Sequence, residues 1–184
     1  MNDSLQNRAK SKALALSIIR IGNWIESLQL YVGFILMAAF LLVVAVDVLF
    51  REVATPILWS EEVARFTYIW AVFLGSGVAL RRGGHFKIDV ITAHLRGRAK
   101  KIFGVIEFIC IATFVLILAM SGYDYAMMGL TRVSNPSGIP MIVATASIPV
   151  SSLFMAYYVV EGVISKLAGV DVISHVAETQ EATS

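Results

Sequence analysis

Four apolar runs limit what this chain can become. Residues 30–50, 60–80, 102–120 and 139–160 each approach the ~20 residues that an α-helix needs to cross ~30 Å of hydrocarbon. A bilayer core offers no water to an open backbone, so a spanning segment is a helix or part of a closed barrel, and runs of this length select helices. Composition agrees. Of 184 residues, 58% are hydrophobic and 15% charged, against about 45–50% and roughly 25% in soluble domains. The expected fold class is an all-α integral membrane protein. It has four transmembrane helices plus an N-terminal interfacial amphipathic helix, with both termini cytoplasmic.

Residues 1–12 are polar and are expected to form a disordered cytoplasmic N-terminus. They carry no apolar core and cleavage site of a signal peptide, so the first span is expected to act as its own insertion signal. In residues 13–28, Leu14, Ile18, Ile21, Ile25 and Leu28 recur at steps of four and three, which marks one helical face. Ser17, Arg20, Asn23, Glu26 and Ser27 make the segment too polar to span. It reads as a helix lying in the interface with Trp24 near the headgroups, or else as a cytoplasmic extension of the first span packed on protein. In the first span, Asp47 and Arg51 are four apart and share a face. That spacing favours an interfacial ion pair over an ion site.

The second span is entered through Trp59, Ser60, Glu61 and Glu62. Ser60 is a candidate N-cap, and the two acids suit the positive end of the helix dipole. Glu61 lies four before Arg65, a pairing orientation that helices favour. Ala71, Gly75 and Ala79, at steps of four, predict a close approach by another helix. The run then ends in a basic segment of Arg81, Arg82, Lys87, Arg96, Arg98, Lys100 and Lys101 against Asp89 alone, with a short surface helix expected near residues 88–95. In the third span Glu107 lies near the basic end. The fourth span has Pro140 at its start and Pro149 inside, where a kink is expected. Residues 161–184 read as a polar cytoplasmic tail.

Charge orients these spans. Arg8, Lys10, Lys12, Arg20, the seven basic residues of 81–101 and Lys166 fall on one side, with only Arg51, Arg65 and Arg132 on the other. Basic residues stay cytoplasmic, so the 81–101 segment and both termini are expected inside. Arg81, Arg82, Lys87, Arg96, Arg98, Lys100 and Lys101 would anchor that side and meet anionic lipid. Between two spans this reading excludes nucleic acid as the partner of the basic segment.

No catalytic, cofactor or metal constellation stands out. There is no phosphate-cradling Gly-Lys-Ser/Thr, no serine elbow and no pair of midplane carboxylates. The one cysteine, Cys110, reads as a small buried hydrophobe. His85, His94 and His175 all lie outside the spans, which argues against axial haem ligands. No inverted repeat of broken helices suggests a self-sufficient transporter. The chain reads as a subunit and not as an enzyme.

Arg51, the run Trp59 to Arg65, Trp70 with Phe73-Leu74-Gly75, Arg82-Gly83-Gly84-His85-Phe86-Lys87-Ile88-Asp89, Ser137-Gly138-Ile139-Pro140 and Ile148-Pro149-Val150 together resemble the small membrane subunit of tripartite ATP-independent periplasmic (TRAP) transporters. Phe86-Lys87 departs from that family's frequent β-branched residue after the histidine. The resemblance implies a bacterial inner-membrane subunit paired with a large permease that holds the sodium and substrate sites. It implies a periplasmic substrate-binding protein that delivers an organic acid, and a scaffold role beside an elevator-type domain. Trp59, Glu61, Glu62, Arg65, Ala71, Gly75 and Ala79 would then serve the partner interface, with membrane lipid around the rest. The competing reading is a self-contained four-helix protein such as a small channel, an electron carrier or an assembly factor.

Overall fold

The computed structural model describes residues 2–53, 59–82, 98–135 and 137–168. Helix α1 spans Asn2–Val53, α2 Ser60–Arg81 and α3 Arg98–Leu130; the short α4 (Ile142–Thr145) leads into α5 (Ser147–Ala168). Four helical stretches, 11–51, 60–81, 102–130 and 142–166, are long and apolar enough to cross a membrane. The all-helical, four-span expectation therefore holds.

The separate interfacial helix does not form. α1 runs unbroken for 52 residues, about 78 Å at ~1.5 Å per residue, through the segment expected to be disordered and through residues 13–28. Nothing in the sequence stops it, since neither proline nor a capping turn intervenes. Its packing face is also not the apolar stripe. Ala15, Ile19, Gly22, Glu26 and Gln29 are buried against protein, whereas Leu14, Ile21 and Leu28 are exposed. Lipid is as apolar as leucine, so helix contacts in a membrane gather small and polar residues and leave large apolar ones outside.

That seam continues into an antiparallel hairpin with α2. On α1 the inward positions step by four and three from Ala15 through Gly33, Leu36, Phe40 and Val43 to Asp47. On α2 they step likewise through Ser60, Ala64, Thr67, Ala71, Leu74, Val78 and Arg81. A seven-residue repeat keeps two helices in contact along a left-handed crossing. Asp47 meets Ser60 at one end and Glu26 meets Arg81 at the other. Twenty-one residues separate these contacts on each helix, about 31 Å, which matches the ~30 Å hydrocarbon thickness. The polar contacts thus mark the two membrane rims. Phe40 stacks on Tyr68 between them, with centroids 5.3 Å apart.

α5 is the central helix and packs on α1, α2 and α3. Its inward face is small or polar: Ser147, Ser151, Ser152, Met155, Tyr158, Glu161 and Ser165, while Leu153 and Val160 face out. The helix break at Ala146 is the expected consequence of Pro149, which has no N–H for the Thr145 carbonyl and crowds it. α3 runs ten residues past the end of its predicted span and takes up more than half of the expected link, including Asp124. It docks on α4 and α5 through Val115, Gly122, Ala126 and Gly129. A Cβ on Gly129 would lie 2.9 Å from the Ile142 nitrogen and 3.0 Å from its Cα, so this contact is backbone against helix. Cys110 is exposed on α3 and not buried as expected.

Candidate functional site

Two polar clusters, one at each rim, hold the hairpin to the rest. At the end where α2 stops, Arg81 is enclosed by three helices. Its Nε donates to Glu161 Oε2 at 2.9 Å and Nη2 to Glu161 Oε1 at 2.7 Å, while Nη1 donates to Glu26. Nη2 also reaches Asn23 Oδ1 at 2.7 Å and the Ile19 carbonyl at 3.2 Å. The guanidinium lies over the Tyr158 ring, 5.5 Å from its centroid, and the Tyr158 hydroxyl donates to Gln29. The side chains of Arg81, Glu26 and Glu161 are 2%, 5% and 1% exposed. Arg82 adds a second cation on Glu26 from the half-exposed rim. Two cations face two carboxylates, so the cluster is neutral as a unit.

Such a cluster fixes geometry more than it adds stability. Desolvation of a buried pair offsets most of its Coulomb gain, but stranding one member is costly. The planar fork of arginine suits the task, since it binds carboxylates on two helices at once and stacks on a ring. Gly22 makes the approach feasible: a Cβ there would sit 2.6–2.8 Å from the Glu161 carboxylate and Arg81 Nη2. Tyr157 adds a bond from its hydroxyl to the Ile18 carbonyl at 2.9 Å, which holds α5 along the N-terminal part of α1.

The opposite rim is built on the start of α2. Ser60 does not cap the helix; Trp59 occupies the cap position without a side-chain bond. The Ser60 hydroxyl instead donates to Asp47 Oδ1 at 2.5 Å, and Asp47 also pairs with Arg51 at 3.0 Å. Glu62 turns inward and is 2% exposed. One of its oxygens accepts from the Ser137 amide at 3.3 Å, which ties α2 to the turn at residues 134–139. That turn is shaped by Gly138 at φ +71°, a backbone conformation glycine adopts without cost, and by pairing of Val133 with Pro140. Lower on α2, Trp70 Nε1 donates to the Val143 carbonyl at 2.6 Å.

The residues singled out in the sequence divide accordingly. Trp59 is exposed, and Glu61 and Arg65 form an exposed pair at 4.0 Å; Glu62 is separated from them by its inward turn. Ala71 belongs to the α1 seam and Ala79 is half-buried, whereas Gly75 is exposed with nothing within 4 Å of a Cβ. Steps of four drift away from a seven-residue seam, so these three make no single helix contact within the chain. Arg81, expected to meet lipid, is enclosed by glutamates instead. Lys87 and Arg96 lie outside the described residues, as do His85, His94, His175 and the surface helix expected near 88–95. Of Arg98, Lys100 and Lys101 the structure describes only the backbone, in the first turn of α3. Glu107 is half-buried on α3.

Glu26, Asn23, Gln29, Tyr158 and Glu161 escaped the sequence reading. The signal was present: Gly22, Glu26 and Gln29 recur at helical steps, as do Tyr158, Glu161 and Ser165. Among the described residues no group of three or more His, Cys, Asp or Glu side chains gathers to hold a metal.

Four helices long and apolar enough to span a bilayer, three of them joined by a buried ion cluster at one rim, define a multi-pass helical membrane protein. Residues 40–169 match the family model of the tripartite ATP-independent periplasmic transporters, DctQ component, and the chain belongs to that family, one of transporters and not of enzymes. It is similar to the isethionate TRAP transporter permease protein DctMQ of Oleidesulfovibrio alaskensis, 29% identical over 60% of this chain and 18% of that protein. It is similar to the sialic acid TRAP transporter permease protein SiaT of Haemophilus influenzae, 29% identical over 50% of this chain and 16% of that protein. It also resembles the sialic acid TRAP transporter small permease protein SiaQ of Vibrio cholerae, 25% identical over 60% and 64% of the two chains. The match therefore spans less than two thirds of each of these relatives.

Proposed function

We propose that this chain is the small permease subunit of a sodium-driven TRAP transporter in the bacterial inner membrane, and that it scaffolds a large elevator-type subunit. The observation that carries this reading is where the polar groups lie. The buried charges of the described residues sit at the two rims, Arg81 with Glu26 and Glu161 at one and Glu62 on the Ser137 amide at the other, and the ~31 Å between the rims is bridged mainly by apolar and small side chains. Such an interior supports a brace and offers no polar track for a solute. The relatives add to it. In DctMQ and SiaT the matching segment is under a fifth of a longer permease chain, which supports a partner that supplies the remainder. Isethionate, sialic acid and C4-dicarboxylate appear in the relatives' names; all are organic acids, the class expected here, delivered by a periplasmic binding protein. The charge distribution supports both termini and the 81–101 segment inside, with Trp59, Glu61 and Arg65 on the periplasmic surface available to the partner subunits.

Tagged chain purified from its own membranes should bring down one much larger multi-pass protein. Gly75→Leu tests where they meet. Its Cβ enters open space, so the isolated chain should keep its stability within about 0.5 kcal/mol, while the larger protein is lost from the purification. Retention of that protein by Gly75→Leu would move the interface off this face of α2. Absence of a large partner from the wild-type purification would instead favour a self-contained protein.

A further inference from the structure

α3 carries a carboxylate at the depth of hydrocarbon. A Cβ on Gly122 would lie 2.7 Å from the Ile148 side chain and 3.3 Å from the Pro149 nitrogen, so Gly122 and Ile148 share one level of the bundle. From Ile148 to Glu161, at the Arg81 rim, α5 covers about 20 Å. Asp124 is two residues beyond Gly122, about 3 Å further out. It therefore sits about 8 Å inside the opposite rim, where α2 begins, on the ~31 Å scale set by the hairpin. It also turns away from the chain. Asp124 follows Val115 by nine residues, about two and a half helical turns, which points it opposite the side on which Val115, Gly122, Ala126 and Gly129 dock. The residue is exposed. Ion pairs among the described residues engage Asp47, Glu61, Glu26 and Glu161; Asp124 has neither an ion pair nor a hydrogen bond among them.

We propose that this face of α3 seats a helix of the large permease subunit, and that this helix brings an arginine or lysine to Asp124. The contact rests on the pairing proposed above and adds a second surface to it, on a different helix from Gly75. Charge is the first reason for this occupant. A carboxylate at this depth is costly unless it is paired, and aspartate is too short to reach the interface as lysine and arginine do. Arg81 shows the pattern within the chain, where it meets Glu26 and Glu161. Composition is the second. The exposed side chains in the first two thirds of α3 include Ile106, Ile109, Leu116 and Ile117, whereas those around Asp124 are Met120, Tyr123, Met127 and Met128. Aliphatic side chains are what a helix leaves to lipid. Methionine and tyrosine are enriched where protein meets protein, and methionine adapts its shape to a neighbour. Access is the third. Ala119, Met120, Tyr123 and Asp124 border one open hollow, through which a long basic side chain can approach the carboxylate.

The test uses the complex purified through a tag on this chain, in a Cys110→Ser background. Asp124→Cys labelled with a benzophenone maleimide should photo-cross-link to the large subunit, and the captured peptide should contain an arginine or lysine. Asp124→Asn, which keeps the shape and removes the charge, should lower recovery of the large subunit about tenfold. Asp124→Lys should lower it as well, and exchange of the captured cation for glutamate should restore it. In the isolated chain Asp124→Leu should be at least as stable as the wild type, because the carboxylate has no partner there to lose. Full recovery of the large subunit by Asp124→Asn, with no cross-link to it from Asp124→Cys, overturns this contact and leaves the transport reading standing. A cross-link to a second copy of this chain overturns it too, as does an isolated Asp124→Leu chain as damaged as Arg81→Met. A wild-type purification without any large subunit brings down the transport reading and this contact together.

Discussion

Arg81→Met should destabilise the isolated chain by about 3–5 kcal/mol, the usual cost of breaking a buried ion pair by removing one partner. The loss exceeds that of a surface charge because Glu26 and Glu161 would remain enclosed at 5% and 1% side-chain exposure without their shared cation. α1, α2 and α5 would lose the guanidinium that bonds the carboxylates of α1 and α5 at once. Glu161→Leu should do similar harm, since it leaves Arg81 with Glu26 while Arg82 competes for the same carboxylate. The combined variant Glu26→Gln, Arg81→Met and Glu161→Leu should recover most of the loss, because an apolar replacement of a whole buried charge cluster is often neutral or better. Denaturation of purified protein in detergent, followed by helical content, measures all three. A single variant as stable as the wild type, or a combined variant worse than either single one, would show that the cluster does not hold the helices as described.

Gly129→Leu should be the second severe change. The added side chain meets the backbone of Ile142, which cannot rotate away as a side-chain tip can, and overpacking of this kind costs about 1–3 kcal/mol. α3 attaches chiefly to α4 and α5, so strain at Gly129 should loosen its α4 end while the α1–α2 hairpin survives. Protease accessibility of residues 131–141 together with cysteine cross-linking between α1 and α2 would report the two events separately. The same substitution at Gly75, four turns into a different helix, is expected to leave the chain intact. Equal damage at both positions would mean that the small residues of this chain act through helix propensity and not through close approach.

The number of spans was legible because hydrocarbon thickness leaves a length signature in the sequence. So was the Asp47–Arg51 pair, which needs only the pitch of one helix. The interior was harder to read, because bilayer and water reverse the meaning of an apolar stripe. Leu14, Ile21 and Leu28 mark the outside of α1, while Gly22, Glu26 and Gln29 mark the seam. Glu161 reads from the sequence as the start of a tail, because a carboxylate normally ends a span, yet it lies within α5 and is paired in the interior with an arginine eighty residues away. Pairing across that distance leaves no periodic trace in one sequence. The Ala71, Gly75 and Ala79 stripe has the spacing of a helix contact, but it is Gly122, Ala126 and Gly129 that lie together against a neighbouring helix. Both stripes have small residues at helical steps, and only the position of a neighbouring helix tells them apart.

The most direct test of the scaffold reading is solute flux. The chain reconstituted alone into proteoliposomes, under an imposed sodium gradient and with isethionate, sialic acid or a C4-dicarboxylate outside, should show no uptake above empty vesicles. Uptake should appear only when the large permease and a binding protein are added, and it should disappear again when the wild-type chain is replaced by Arg81→Met. Accumulation of any of these solutes by the chain alone would contradict the account.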